Sequence, residues 1–389
     1  MTICYIAEGY PFDNYAQYPF VEQLSLALAD LGHRVLVVAP QSLTRKVLRK
    51  KPYIPYYRTA KTEKGNVVEI YTPKIITIGN FPCVGLKYSS WRFRCAVDKT
   101  LRKIQLKEKI DVCYGHFWHV AISAYPFCLK YNIPIFVASG ESSILINRIF
   151  PSSKIKAFSS FVKGVVCAST KTKEESIEKC FVDEIKCRVY PNGIDETLFY
   201  PQKNKLELRH KLGIKDDDFV VVFTGTFIRR KGAKRVSQAI EDLHDSHIKS
   251  IFIGGEADGE VDAPFGNGII HCGPLAHDQI PNYLNCGDVF VLPTLAEGCC
   301  NAIVEALACG MPIISSDRSF NYDILDKTNS ILIDPKDIPQ ISQAISFLKS
   351  NPNICAKMGL EATNRAKELS ISKRAKKIVD FFDSNKTYK

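Results

Sequence analysis

The sequence predicts an α/β protein of two Rossmann-like, doubly wound domains. Three observations carry this. Short β-branched runs alternate with amphipathic stretches of helical period, the pattern of a parallel sheet covered on both faces. The alternation stops near residues 190–205 and then starts again. The chain has 389 residues, more than the ~250–300 at which single hydrophobic cores stop growing.

The elements follow in order. TICYIAEG is a strand from residue 2, FVEQLSLALADLGH (20–33) a helix and RVLVVAP (34–40) the next strand. IDVCYGH (110–116), IPIFVASG (133–140), GVVCAS (164–169) and CRVYPNG (187–193) continue the strands, with helical stretches between several of them. After YPNGIDETLFYPQKNK (190–205), strands are expected in DFVVVFTG (218–225), SIFIGG (250–255), GIIHCG (268–273), DVFVLPT (288–294), PIISSD (312–317) and SILID (330–334). Helices are expected at 232–244, 278–286, 301–309 and 338–350, the third closed by Gly310 with Pro312 behind it. The reading is an N-terminal domain over 1–197 and a C-terminal domain over 198–370. A last amphipathic helix, within 371–389, is expected to pack back on the first domain.

Composition narrows the class. Hydrophobic content of 46% and charged content of 24% are those of a globular protein. A net charge of +11 points to anionic partners such as nucleotides, phosphates or acidic lipid. The 14 cysteines form no C-x-x-C pair and sit largely in apolar runs, as small hydrophobes in a reducing cytosol do. The start, MTICYIAEGYPF, lacks the basic and apolar regions of a signal peptide. No window has 18 uninterrupted apolar residues, so a cytoplasmic protein is expected.

Two segments carry a concentrated charge. Residues 41–65 hold eight Lys/Arg against one Glu, and residues 86–109 hold eight against two acids. Tyr53, Tyr56, Tyr57, Trp91 and Phe93 are interleaved. Such a face is either solvated surface over packed aromatics, or a patch that lies on an acidic membrane surface. No recognition module frames it for nucleic acid.

The densest chemistry lies in AEGCCNAIVEALACG (296–310). A strand ends near Thr294, a loop carries Glu297, and a helix starts around Asn301 with Glu305 one turn in. Ligands of open α/β sheets bind outside the carboxyl ends of the strands. The free N–H groups of a helix start, here Asn301, Ala302 and Ile303, suit an anion such as a diphosphate. A carboxylate instead accepts hydrogen bonds from a diol, so Glu305 fits a ribose and Glu297 a sugar. From spacing alone, a loop acid and a solvent-facing helix acid read equally well.

Here the residues resemble a family. EGCCNAIVEALACGMPIISS is similar to the E-x7-E signature of retaining glycosyltransferases of family 4, which have the GT-B fold. VYPNGIDETLFYP (189–201) resembles the family's hinge motif, FTGTFIRRKG (223–232) its phosphate motif, and IDVCYGH (110–116) its first-domain strand. With GHRVLVVAP (32–40) the similarity spans most of the chain and is stronger in the second half.

The resemblance implies two Rossmann-like domains facing a central cleft, and a retaining hexosyl transfer. It implies that Glu305 holds the ribose of a nucleotide-sugar, Glu297 the donor-sugar hydroxyls and Lys231 the diphosphate. His116 would meet the donor sugar from the first domain, and His119 reads as structural. Gly225, Thr226 and Arg230 would complete the phosphate loop, and Gly9 and Glu141 would lie on the acceptor side.

The chain departs from the pattern in three places. Thr226 stands where the family has arginine, and either Arg230 or Arg229 would supply that charge. The first loop has only Gly9 of the usual glycine pair, and SGE (139–141) replaces the expected HG. No cofactor and no metal are expected, with the nucleotide-diphosphate sugar as co-substrate, and KDDDF (215–219) reads as a structural turn.

The expected partners are that donor, a glycan or polyprenyl-diphosphate-linked acceptor, and an acidic membrane at the inner face of the cytoplasmic membrane. The expected setting is cell-surface polysaccharide synthesis. A nucleotide-sugar epimerase and a non-catalytic nucleotide-sugar-binding protein are the alternatives.

Overall fold

The computed structural model describes residues 1–12, 18–44, 53–78, 82–83, 86–256 and 260–386. Part of the basic segment 41–65, residues 45–52, lies outside the described residues. The chain divides into two compact units, Met1–Tyr190 with Ile371–Lys389, and Pro191–Ser370.

The first unit is built on an eight-stranded sheet. Its strands are β1 (Thr2–Ile6), β2 (Arg34–Val38), β3 (Tyr57–Lys61), β4 (Val67–Tyr71), β5 (Val112–His116), β6 (Ile135–Ser139), β7 (Gly164–Cys167) and β8 (Cys187–Val189). Their order across the sheet is β8-β7-β6-β5-β1-β2-β4-β3. All neighbours run parallel except β3 against β4. Parallel strands covered on both faces read as unbroken apolar runs, and Ile3–Ile6 and Val35–Val38 are fully buried accordingly. The connection direction reverses between β1 and β5, where β1 lies between a partner that follows it directly and one over a hundred residues on.

The helices of this unit are α1 (Pro19–Asp30), α2 (Tyr88–Gln105), α3 (Trp118–Tyr131), α4 (Ser152–Phe161) and α5 (Thr170–Cys180). The charged segment 86–109 is thus mostly a helix, α2, which buries Val97, Leu101 and Ile104 along one face. Ser169 and Thr172 form a reciprocal capping box that starts α5.

The second unit holds α6 (Lys205–Lys211), β9 (Phe219–Thr224), α7 (Ala233–Glu241), β10 (Ile248–Ile253), β11 (Ile269–Gly273), α8 (Ile280–Cys286), β12 (Val289–Leu292), α9 (Asn301–Ala308), β13 (Ile313–Ser316), β14 (Ser330–Ile333), α10 (Ile338–Ser350) and α11 (Pro352–Glu368). Its six strands are all parallel, in the order β11-β10-β9-β12-β13-β14. In the unit's own count this is 3-2-1-4-5-6, the doubly wound order, with the switch point between β9 and β12.

One boundary differs from the sequence reading, and elements such as β3, β4 and α11 are additional to it. The units part at Tyr190/Pro191 rather than at 197. The hinge motif is drawn into the second unit because Asn192 bonds Asn301 and the Ile194 N–H bonds the Leu369 carbonyl. Helix α11 was not expected. Gly359 lets it lie against the end of α9, since a Cβ there would sit 2.5 Å from the Gly310 carbonyl oxygen. The last helix, α12 (Ile371–Asn385), belongs to the first unit. It buries Ala375, Ile378 and Phe382, with the Phe382 ring 4.5 Å from that of Phe136 and 5.1 Å from that of Tyr114.

Candidate active site

At the switch point of the second unit, the turn after β9 meets the loop after β12. The Leu295 N–H bonds the Arg230 carbonyl at 2.8 Å and ties the two together. This brings Arg230, Lys231 and Glu297 into one cluster. Glu297 Oε1 lies 2.6 Å from Arg230 Nη1 and 2.7 Å from Lys231 Nζ, and accepts from Thr294 Oγ1 at 2.9 Å. Arg230 also donates to the Ala296 carbonyl at 2.5 Å. Glu297 is buried; burial alone would raise its carboxyl, but Lys231 and Arg230 outweigh that and hold it below the usual range. Burial opposes the Lys231 charge, yet the Cys300 sulfur and Glu297 keep the ammonium above its ordinary value.

Of the two arginines, Arg230 joins this cluster and Arg229 does not. Arg229 is exposed, and its backbone N–H goes to Glu260. Gly225 lies beside this cluster, with the Lys231 side chain packed over it. Thr226 is exposed and its carbonyl accepts from the Ile228 N–H, which shapes the turn.

Helix α9 starts next to the cluster. Cys300 precedes it with no side-chain hydrogen-bond cap, and Asn301, Ala302 and Ile303 form its first turn. Asn192 donates to Asn301 Oδ1 at 2.7 Å and to the Cys299 carbonyl at 3.2 Å, so the PNGID motif braces this start. Glu305 is largely buried one turn in, 3.4 Å from His277 Nε2. Its hydrogen bond raises the His277 pKa, with burial opposing. The Phe199 ring stands edge-on to His277 at 5.3 Å. No sequence signal marked His277, which is 28 residues from Glu305. Asn192 and Thr294 stood inside quoted motifs, but their roles depend on contacts that spacing does not show.

Among the described residues, one group could hold a metal by proximity: Asp217, Asp218 and His247. It lies at the amino end of β9, the opposite end from Gly225. Asp218 accepts from the Lys215 N–H there, as a turn residue does.

In the first unit, His116 ends β5. Its Nδ1 shares a hydrogen bond of 2.8 Å with the Tyr5 hydroxyl, and the Phe20 ring stacks on it at 5.0 Å. Burial, with Arg374 nearby, pushes its pKa down to about 3, so the ring is neutral across the physiological range. Glu141 lines a cavity, as an acceptor-side residue would, but its oxygens are already engaged. They accept from the Trp118 N–H at 2.9 Å, the Gly140 N–H at 3.0 Å and Ser139 Oγ at 3.2 Å. Glu141 thus caps the start of α3 while lining the cavity. Gly9 lines the same cavity of about 630 Å³. So does His119, read from sequence as structural, which pairs with Glu8 at 2.7 Å.

Comparison with known proteins adds the following. The family model described as "Glycosyl transferases group 1" matches residues 204–365, and that described as "Glycosyltransferase Family 4" matches residues 20–198. The Bacillus subtilis (strain 168) protein TuaC, named for teichuronic acid biosynthesis, is 28% identical over 366 residues, 89% of this chain and 88% of its own. The Escherichia coli UDP-Gal:alpha-D-GlcNAc-diphosphoundecaprenol alpha-1,3-galactosyltransferase is 26% identical over 306 residues, 73% and 78% of the two chains. Among solved structures, sucrose-phosphate synthase from Thermosynechococcus elongatus superposes with a TM-score of 0.76 at 17% identity, over 99% of each chain. Anabaena Alr3699/HepE in complex with UDP does so with a TM-score of 0.73 at 17% identity, over 99% of this chain and 100% of that one. At such identities the superpositions speak for the fold.

Proposed function

The chain belongs to the group 1, family 4 glycosyltransferases and has the GT-B fold, and from that premise we propose the reaction. It is transfer of a hexose from a nucleoside-diphosphate sugar, with retention of anomeric configuration, to a glycan or polyprenyl-diphosphate-linked glycan. The setting is cell-surface polysaccharide synthesis. The observation that carries the reading is the meeting of Arg230, Lys231 and Glu297 at the switch point, beside the start of α9.

In this reading the N–H groups of Asn301, Ala302 and Ile303 bind the diphosphate together with Lys231, Arg230 and the Gly225–Thr226 turn. Glu305 accepts hydrogen bonds from the ribose, and Glu297 from the donor sugar while it holds both cations in place. His116, a neutral ring at the end of β5, is the remaining residue assigned to the reaction. As the anomeric C–O bond to the diphosphate breaks, negative charge grows on the leaving oxygen. Fixed donors aimed at that charge are worth ~3–4 kcal/mol each. The acceptor oxygen bonds the anomeric carbon from the same face and passes its proton to the leaving diphosphate. These residues neutralise the diphosphate without a metal.

The test is a panel of nucleoside-diphosphate sugars screened by thermal shift, followed by NMR of the product's anomeric centre. A donor at a hundred times its Kd adds about 2.7 kcal/mol of stability. No stabilising donor, or an inverted product, overturns the proposal. Turnover is expected to survive exhaustive EDTA treatment; loss that Mg²⁺ or Mn²⁺ restores removes the metal-free part.

The first unit is also assigned an acidic membrane surface at the cytoplasmic side. Tyr56, Tyr57 and Leu106 are exposed, with Lys103 Nζ 5.8 Å from the centre of the Tyr56 ring. Among the described residues, no helix is long and apolar enough to cross a membrane. Each basic residue near an anionic surface contributes about 1 kcal/mol, screened by salt. Co-sedimentation with acidic but not neutral vesicles is expected, and equal binding to both refutes it.

A further inference from the structure

The turn that carries Lys231 and Arg230 is joined to the loop after β12 by ties of two kinds. Some use the cations themselves: both bond Glu297, and Arg230 also bonds the Ala296 carbonyl. An anion that draws Lys231 and Arg230 toward itself loosens these. The others use no group that an anion claims. One is the Leu295 N–H on the Arg230 carbonyl. Another is Arg235, in the first turn of α7. Its Nη1 donates to the Arg229 carbonyl and its Nη2 to the Pro293 carbonyl, each at 2.8 Å. One planar fork thus joins the turn after β9 to the end of β12. Its Nε is buried and has no hydrogen-bond partner among the described residues, so the two carbonyls take all of its described hydrogen bonds.

Gly232 makes room for the fork. It precedes α7 at φ 87°, and a Cβ on it would fall 2.4 Å from Arg235 Nη2, so the guanidinium lies against bare backbone. A cation in the first turn of a helix opposes the helix dipole. Burial also lowers the Arg235 pKa, with Asp262 opposing. Against both costs, the guanidinium makes two hydrogen bonds from a charged donor, each roughly twice as strong as a neutral one.

We propose that Arg235 is a positioning residue for the diphosphate site: it fixes the approach of the turn after β9 to the end of β12 and so holds Lys231 and Arg230 where a diphosphate meets them. The proposal rests on the transferase reading above and adds to it a residue that touches no substrate. The bridge keeps the turn in place when the diphosphate takes the two cations from Glu297, which is when the ties made by those cations are weakest. Lysine does not replace it, because one ammonium on a flexible stem does not span two carbonyls as a planar fork does.

The test compares wild type with Arg235→Met, which keeps the length and loses both bonds, and with Arg235→Lys, which keeps the charge. Calorimetry with inorganic pyrophosphate and with UDP reads the site, and melting followed by circular dichroism shows that each variant is folded. Carbon-13 NMR of the Glu297 carboxyl, assigned by its loss in Glu297→Gln, reads the cluster with no ligand present. Both diphosphates are expected to bind Arg235→Met about tenfold more weakly, the loss of roughly one charged hydrogen bond at the displaced cations. In the same variant Glu297 should titrate about one pH unit higher, as its two cations draw back. Arg235→Lys should fall between, and it carries the test if Arg235→Met does not fold. The proposal is overturned if the folded variants bind both diphosphates like wild type, as they would around an arginine that only stabilises the fold. It is overturned if binding weakens while Glu297 is unmoved, which places Arg235 at the diphosphate itself. It is also overturned if Arg235→Lys behaves like wild type, which leaves only the charge at work. If wild type binds neither diphosphate but Glu297 shifts as expected, the transferase reading fails and the bridge stands.

Discussion

Glu297 and Glu305 sit eight positions apart and have different neighbours, so their variants are expected to behave differently. Glu297 is bound to two cations and a hydroxyl, whereas the partner at hand for Glu305 is the His277 ring. Glu305→Gln is therefore expected to weaken free nucleotide and nucleotide-sugar alike by about 1.5–3 kcal/mol, or about 10- to 150-fold. Glu297→Gln should leave free nucleotide affinity nearly intact, because its proposed contact is to the donor sugar. It should slow transfer and cost the fold about 1–3 kcal/mol. Calorimetry on both variants, with free nucleotide and with donor, decides this; equal loss of free nucleotide in both overturns the assignment. His277 adds a pH dependence. Its folded pKa is raised above the unfolded value, so the stability it contributes is full below about pH 6.5 and is lost as pH rises through the raised value. His277→Gln should thus cost more thermal stability at pH 6 than at pH 9, and an equal cost shows the pair carries no charge.

At the level of elements, the site is made by how closely strand ends approach one another. Gly254, just past β10, carries no side chain because a Cβ there would fall 2.0 Å from the Gly225 carbonyl oxygen. That contact holds the turn from which Lys231 and Arg230 project. Gly254→Ala is expected to push the turn away, costing about 1–3 kcal/mol of stability and roughly tenfold in nucleoside-diphosphate affinity, read by calorimetry. Unchanged affinity means the turn is positioned by other contacts. The six strands of the second unit and the start of α9 were legible because buried parallel strands and helix ends have strong local signatures, whereas β3 and β4 of the first unit were not read. Helix α11 was not, since its Gly359 and polar residues weaken the pattern and its place depends on packing against Gly310.

For the whole molecule, the last helix returns to the first unit after the chain has built the second. Phe382 is fully buried between Phe136 and Tyr114. Phe382→Ala should cost about 3–5 kcal/mol. The chain's two tryptophans, Trp91 and Trp118, both lie in this unit, so tryptophan fluorescence during urea unfolding reads that loss directly. An unshifted midpoint means α12 contributes nothing to the unit's stability.

The sequence by itself determined two α/β halves, the loop and helix that carry Glu297 and Glu305, and the cationic turn with Lys231, because periodicity and turn chemistry act over a few residues. Only the tertiary structure decided that Arg230 and not Arg229 joins Lys231, that Glu141 caps a helix, and that His277 meets Glu305. It alone brought Glu8 to His119, 111 positions away. Such pairings depend on sheet order and loop approach, and strand order is set by which faces bury together across the whole chain.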